Sequence, residues 1–100
     1  MWNYNFYVYI TTNPTQTILY IGVTNNLRRR LLEHAENKGK TSSFAGKYFC
    51  NKLIYYEHFI HIEEAIAREK EIKKWSRKKK DALIDSLNPE RRFLNDEVME

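Results

Sequence analysis

Two runs of aromatic and β-branched residues, Phe6 to Thr12 and Thr17 to Val23, are separated only by Asn13-Pro14-Thr15-Gln16. Side chains of this kind suit a pleated surface, and the four residues between them carry turn chemistry, so the runs are expected to pair as an antiparallel hairpin. The chain then turns at once into a helix. Asn25 or Asn26 can cap it, Leu27, Leu31 and Ala35 recur at helical spacing, and Arg30 and His34 lie one turn apart. Lys52 to Phe59 predicts a third strand, Ile62 to Trp75 a second helix, and Lys78 to Leu87 a third that stops before Pro89. The polar stretch from Asn37 to Lys47 holds two of the three glycines and reads as a mobile loop. The order β-β-α-β-α-α implies an α+β fold, a small three-stranded antiparallel sheet covered by helices. Residues 1–88 are expected to form the single domain, with 89–100 as a flexible tail.

At 100 residues the chain has room for one modest core, and 42% hydrophobic content against 30% charged residues suits a folded, soluble domain. No apolar run approaches the length of a membrane span, and Met1-Trp2-Asn3-Tyr4 lacks the basic lead of a signal segment, so a cytoplasmic protein is expected. The lone Cys50 excludes an intrachain disulfide and a thiolate metal cluster, and reads as a small buried residue beside strand three. The formal charge of +4 conceals an asymmetry: bases gather at Arg28 to Arg30 and from Lys70 to Lys80, while Asp96, Glu97 and Glu100 sit at the end. A cationic surface attracts polyanions by counterion release, so nucleic acid leads the expected partners, with a solvated helix face as the plain alternative.

Several side chains could carry chemistry. Tyr7 and Tyr9 share one face of the first strand, Val8 and Ile10 the other, and one of the two faces must be core. Tyr20 on the neighbouring strand can bring its hydroxyl near that of Tyr9, and Gly22 permits close approach by a helix or a ligand. Of Arg28, Arg29 and Arg30, which point in different directions, only one can join the side of the helix that faces the sheet. Arg30 is the candidate to grip a phosphate there. Glu69 falls on the apolar stripe made by Ile62, Ala65, Ile66, Ile72 and Trp75, where a carboxylate needs a cation: a metal ion, or an arginine such as Arg30. His34, His58 and His61 make no zinc site at their spacing, and phosphate-cradling glycine loops and serine triads are absent.

Taken in order, Tyr7-Val8-Tyr9, Tyr20-Ile21-Gly22, Leu27 through His34, Glu69 within Ala65 to Lys70, and the run Lys73 to Lys80 resemble a GIY-YIG nuclease domain. The likeness is to the short single-domain type called UPF0213 or excinuclease-C-like, and it covers nearly the whole chain. The resemblance implies hydrolysis of phosphodiester bonds in DNA, whether branched, damaged or single-stranded, in repair or mobile-element processing. It also implies magnesium, or manganese, held at Glu69. Tyr9 or Tyr20 would deprotonate or orient the attacking water, Arg30 would stabilise phosphoryl charge, and His34 would assist positioning or proton transfer. Arg28, Arg29, Lys47, Arg77, Lys78, Lys79 and Lys80 are the expected nucleic-acid contacts, with selectivity supplied by a protein partner. The first triplet departs from the family pattern, with Tyr7 in place of its glycine, and Asn88 and Asn95 are available for an asparagine that some members carry after the acidic helix. The alternatives are a binding module that keeps the fold without turnover, and an accessory subunit docking another protein.

Overall fold

The computed structural model describes residues 5–40 and 44–99, with only the backbone at positions 44 and 45. The readings that concern Met1 to Tyr4, Thr41 to Ser43 and Glu100 lie outside the described residues. The elements run β1 (Phe6–Thr12), β2 (Leu19–Thr24), α1 (Leu27–Glu36), α2 (Phe44–Lys47), β3 (Lys52–Phe59), α3 (Ile62–Lys73), α4 (Arg77–Leu87) and α5 (Asn95–Met99). The three strands form one antiparallel sheet in the order β2-β1-β3, the α+β arrangement expected. No helix among the described residues is long and apolar enough to cross a membrane.

Both faces of β1 are covered, so neither is the solvent face. Val8, Ile10, Ile21, Ile54 and Tyr55 pack with Ala65 and Ile72 of α3 and Ile84 of α4. On the other face Tyr9 packs with Leu27 and Leu31 of α1, Leu53 of β3, and Leu94. Strand alternation thus splits the molecule into an aliphatic layer under α3 and α4 and an aromatic layer under α1 and α5. The register shift between Ile10 and Thr11 opposite β3 lets consecutive Ile54 and Tyr55 join the same aliphatic layer.

Local chemistry sets the boundaries. The Asn13 side-chain oxygen accepts from the amides of Thr17 and Ile18, both at 2.9 Å, which takes those groups out of the ladder and starts β2 at Leu19 rather than Thr17. Gln16 adopts the left-handed region, at φ 58°, to close this turn. Asn26 caps α1 by accepting from Arg29 N at 3.0 Å. Ser76 caps α4 through Lys79 N at 3.2 Å, and its extended backbone stops α3 at Lys73, short of Trp75. Within the stretch expected to be loop, one helical turn forms as α2.

The expected tail at 89–100 is a correction: residues up to Met99 complete the domain. β3 is an edge strand, and its exposed ladder groups must be covered. Leu94 N donates to Leu53 O at 2.7 Å, while Asn95 accepts from Leu53 N at 2.8 Å and donates to Asn51 O at 2.9 Å. Leu94 is buried, and so is Asn88, which donates to Ile54 O at 3.1 Å and Arg92 O at 2.7 Å. Asn88 and Asn95, weighed as site residues, are used as structural ties.

Candidate active site

Leu27, Leu31 and His34 are the buried positions of α1, one per turn, with Ala35 exposed instead of joining the stripe. This rotation lays Arg30 along the flank of the helix nearest Tyr9. Arg30 Nε donates to Tyr9 Oη at 3.1 Å, and the same oxygen is joined to His34 Nε2 at 3.1 Å. Tyr9 is 0% exposed and His34 6%. Tyr20, half-buried, stands beside both, its ring centroid 6.2 Å from that of Tyr9 and 5.4 Å from that of His34. Four of the predicted site residues therefore meet in one place.

Gly22 is what lets Tyr9 lie as it does. The two are direct partners across β1 and β2, and a Cβ at position 22 would fall 2.5 Å from Tyr9 Cζ and 2.9 Å from Cε1. The close approach expected at this glycine is made by neither a helix nor a ligand but by the Tyr9 ring crossing onto the neighbouring strand.

The electrostatics are set by burial. Desolvation pushes the Tyr9 phenol up to about 12, and the Tyr20 hydroxyl adds to the rise while the Arg30 hydrogen bond and charge oppose it. Burial, then the Arg30 charge, push His34 down to about 4, with Glu33 opposing. At neutral pH both groups are uncharged and the local cation is Arg30, whose own value is raised chiefly by its hydrogen bond to Tyr9. The outer side of its guanidinium pairs with Glu33 at 3.2 Å. Sequence reasoning did not single out Glu33, although its i,i+3 spacing from Arg30 was a legible signal.

Glu69 is placed differently. It lies on α3, in the layer across the sheet from α1, with a side chain 15% exposed and paired to Lys73 Nζ at 3.2 Å. The cation beside it is thus Lys73 rather than Arg30. Of the apolar stripe around it only Ala65 and Ile72 are buried, while Ile62 and Ile66 are 44% and 37% exposed. Among the described residues no group of three or more His, Cys, Asp or Glu side chains could hold a metal ion. One carboxylate whose partner is an exchangeable lysine fits a hydrated hard cation that takes its other ligands from water and substrate phosphate, and does not fit a zinc cage.

The basic residues divide between the layers. Arg28 and Arg29 are exposed on α1, and Arg29 donates to Asn25 Oδ1 at 3.1 Å. Lys47 is exposed beside the Tyr48 ring, 5.4 Å from its centroid. Lys78 to Lys80 lie on α4, across the sheet, where Lys79 sits 4.3 Å over Trp75 and Arg68 flanks the same ring at 5.1 Å. Arg77, expected on nucleic acid, is exposed, and its guanidinium donates to Thr17 O at 2.8 Å and Gln16 O at 3.1 Å and pairs with Asp81 at 3.2 Å, tying α4 to the hairpin turn. A polar network unseen in the sequence joins the aliphatic layer's rim, where the Tyr55 hydroxyl donates to Glu57 and Arg68 grips Glu57 at 3.0 Å. Cys50 is buried as expected, and burial pushes its thiol up, away from nucleophilic chemistry.

The hairpin thus brings two tyrosines to an arginine and a histidine of the next helix. The family model of the GIY-YIG catalytic domain matches residues 5–81, and the chain belongs to that family. Its relatives are of the short kind. It is 35% identical over 91 residues to a UPF0213 protein of Bacillus pumilus, covering 91% of this chain and 90% of the relative. A UPF0213 protein of Clostridium perfringens is 40% identical over 80 residues, covering 80% and 83%. The solution NMR structure of a UPF0213 protein from Bacillus halodurans superposes with a TM-score of 0.53 at 34% identity, covering 84% of this chain and 86% of that one.

Proposed function

We propose that this protein is an endonuclease that hydrolyses phosphodiester bonds in DNA with the aid of a divalent ion, magnesium or manganese, and serves repair, recombination or mobile-element processing. The observation that carries the reading is the Tyr9 hydroxyl held between Arg30 Nε and His34 Nε2, each at 3.1 Å, on the strands that bear the family's tyrosines. Arg30 is a cation at neutral pH beside two neutral hydrogen-bonding groups, an environment that binds a phosphoryl oxygen and strengthens as charge grows on it. Tyr9, fully buried and with its phenol at about 12, is a positioning residue that keeps its proton. We read the chain as Arg30 donating to Tyr9 and Tyr9 donating to His34 Nε2.

Tyr20, half-buried beside them, is the phenol that meets the attacking water. The water oxygen attacks phosphorus, its proton leaves through the Tyr20 hydroxyl toward solvent, and the departing ester oxygen is protonated from solvent. Glu69 would hold a divalent ion, whose chemistry there would be neutralisation of phosphoryl and leaving-group charge. What supports a role for Glu69 is its helix: α3 runs against β1 and edge strand β2, the two strands that carry Tyr9 and Tyr20, although on the face opposite α1. Arg28, Arg29, Lys47 and Lys78 to Lys80 then give salt-sensitive backbone contact, with selectivity supplied by a protein partner. A single buried cysteine suits a reducing cytoplasm.

A second reading, nucleic-acid binding without turnover, is favoured by one observation: Glu69 is already paired to Lys73. Incubating the protein with plasmid, forked and single-stranded DNA in magnesium or manganese, beside Arg30→Ala and Glu69→Ala, separates the two. Cleavage by the wild type that is lost in both variants is expected, as is its loss on chelation. Binding without cleavage of any substrate selects the second reading, and cleavage unchanged in both variants defeats the assignment of residues.

A further inference from the structure

A cavity of about 390 Å³ opens at the N-terminal end of α1, on the aromatic layer but at the opposite end of β1 from the β1–β2 turn. Half-buried Tyr7 and Tyr56 line it with their rings edge to face, centroids 6.4 Å apart. Asn5, Asn25 and Asn26 contribute side-chain amides, and exposed Arg28 stands among the lining residues. The carboxylate there, Glu97, is paired to Arg92 at 3.6 Å, which lessens its repulsion of an anion. Ligand sites run from about 300 to 1,000 Å³, so this one admits a single nucleotide and no duplex. The Oδ1 atoms of Asn25 and Asn26 are held by Arg29 and that of Asn5 by His58, which leaves aromatic walls, the amide groups of Asn25 and Asn26 as N–H donors, and a cation beside them as the components that hold an unstacked base with its phosphate outside.

We propose that this cavity binds one nucleobase of a single-stranded segment, against Tyr7 and Tyr56, with Arg28 on the adjoining phosphate. The inference rests on the nucleic-acid reading above and narrows it, since the strand so held must be unpaired at that position. Tyr7 precedes Tyr9 by two residues on one strand face, about 6.6 Å along β1, so the base site adjoins the Tyr9 cluster beneath the same helix. None of the cavity's lining residues belongs to that cluster.

The test is a comparison of two short single strands of equal length and charge, one bearing bases and one an abasic deoxyribose-phosphate polymer, titrated against the whole chain. The wild type is expected to bind the base-bearing strand about 5- to 150-fold more tightly, the range for one stacked base. Tyr7→Leu and Tyr56→Leu, which keep bulk and remove the ring, are expected to erase most of that preference, and Arg28→Ala to weaken both strands alike. Should the leucine variants not fold, amide shifts of Asn25 and Asn26 in the wild type on adding adenosine monophosphate decide the matter. Equal binding of the two strands, a preference unmoved in the leucine variants, or no shift at Asn25 and Asn26 overturns the proposal. Equal binding accompanied by cleavage overturns the base site alone, whereas no affinity for either strand takes the nucleic-acid reading with it.

Discussion

The two faces of one sheet are built to different ends. Under α3 and α4, Val8, Ile10, Ile21, Ile54, Ile72 and Ile84 make a layer of aliphatic carbon. Under α1, one residue along the same strand, the layer is made of tyrosine, leucine and a buried histidine, with a guanidinium against a hydroxyl. The aliphatic face gains from apolar burial and keeps its ionisable groups, the Tyr55–Glu57–Arg68 network and Glu69, to the rim and the covering helix. The aromatic face gives up part of that gain to desolvate a phenol and an imidazole, pushing the phenol up to about 12 and the imidazole down to about 4. The Tyr9, His34 and Arg30 cluster is thereby set apart from the aliphatic layer by the two-residue period of a strand, with Glu69 of α3 belonging to the other side.

The largest way to break this division is to cut into the aliphatic face. Ile72→Ala is expected to cost about 2–5 kcal/mol of unfolding free energy, read from chemical denaturation, while the molecules that remain folded keep their rate on DNA. Arg30→Ala should do the opposite. Its side chain is partly exposed, so the denaturation midpoint should barely move, while turnover falls about 10²–10³-fold as for loss of a preorganised oxyanion donor. If the first variant lost its activity per folded molecule, or the second its stability, the two faces would not be separable.

Gly22→Ala sharpens the comparison because it strikes one face without touching the other. The added methyl would meet the Tyr9 ring, which is fully buried, so overpacking is expected to cost about 1–3 kcal/mol and to slow cleavage by displacing the Tyr9 hydroxyl. Wild-type stability in this variant would mean that the ring has room to move. The smallest effect is expected at Arg77, which ties the lysine-bearing helix to the hairpin turn. Arg77→Ala should cost about 1 kcal/mol of stability and leave the salt dependence of DNA binding as it was, whereas Lys78→Ala should lower the slope of that dependence by about 0.9. Equal slopes for the two variants would return Arg77 to the binding surface.

Strands β1 and β3 were legible to the residue, because unbroken β-branched and aromatic runs bounded by turn residues leave one solution. The start of β2 was not, since the amides of Thr17 and Ile18 go to a side chain, that of Asn13. The covering of β3 by Leu94 and Asn95 was invisible for a related reason: one leucine and one asparagine after a proline carry no period, and the open edge they close exists only in the folded sheet. In the site, the meeting of Arg30 and His34 followed from their i,i+4 spacing, but the group they would meet did not. Gly22 announced a close approach without naming Tyr9 as its cause. Pairings across elements, such as Arg68 with Glu57 or Arg77 with the carbonyls of residues 16 and 17, have no sequence period at all and are seen only in the fold.

The hydrogen-bonded chain through Tyr9 is tested most directly at the ring of His34, by following its nitrogen resonances from pH 8 down to pH 3. A neutral ring with its proton on Nδ1 and an acceptor Nε2 is expected, persisting until about pH 4. Because the unfolded chain takes up that proton near pH 6.5 and the folded one near 4, stability should fall as pH drops through this window, by at most about 1.4 kcal/mol per unit. A ring that titrates near 6.5, or that carries its proton on Nε2, would contradict this expectation.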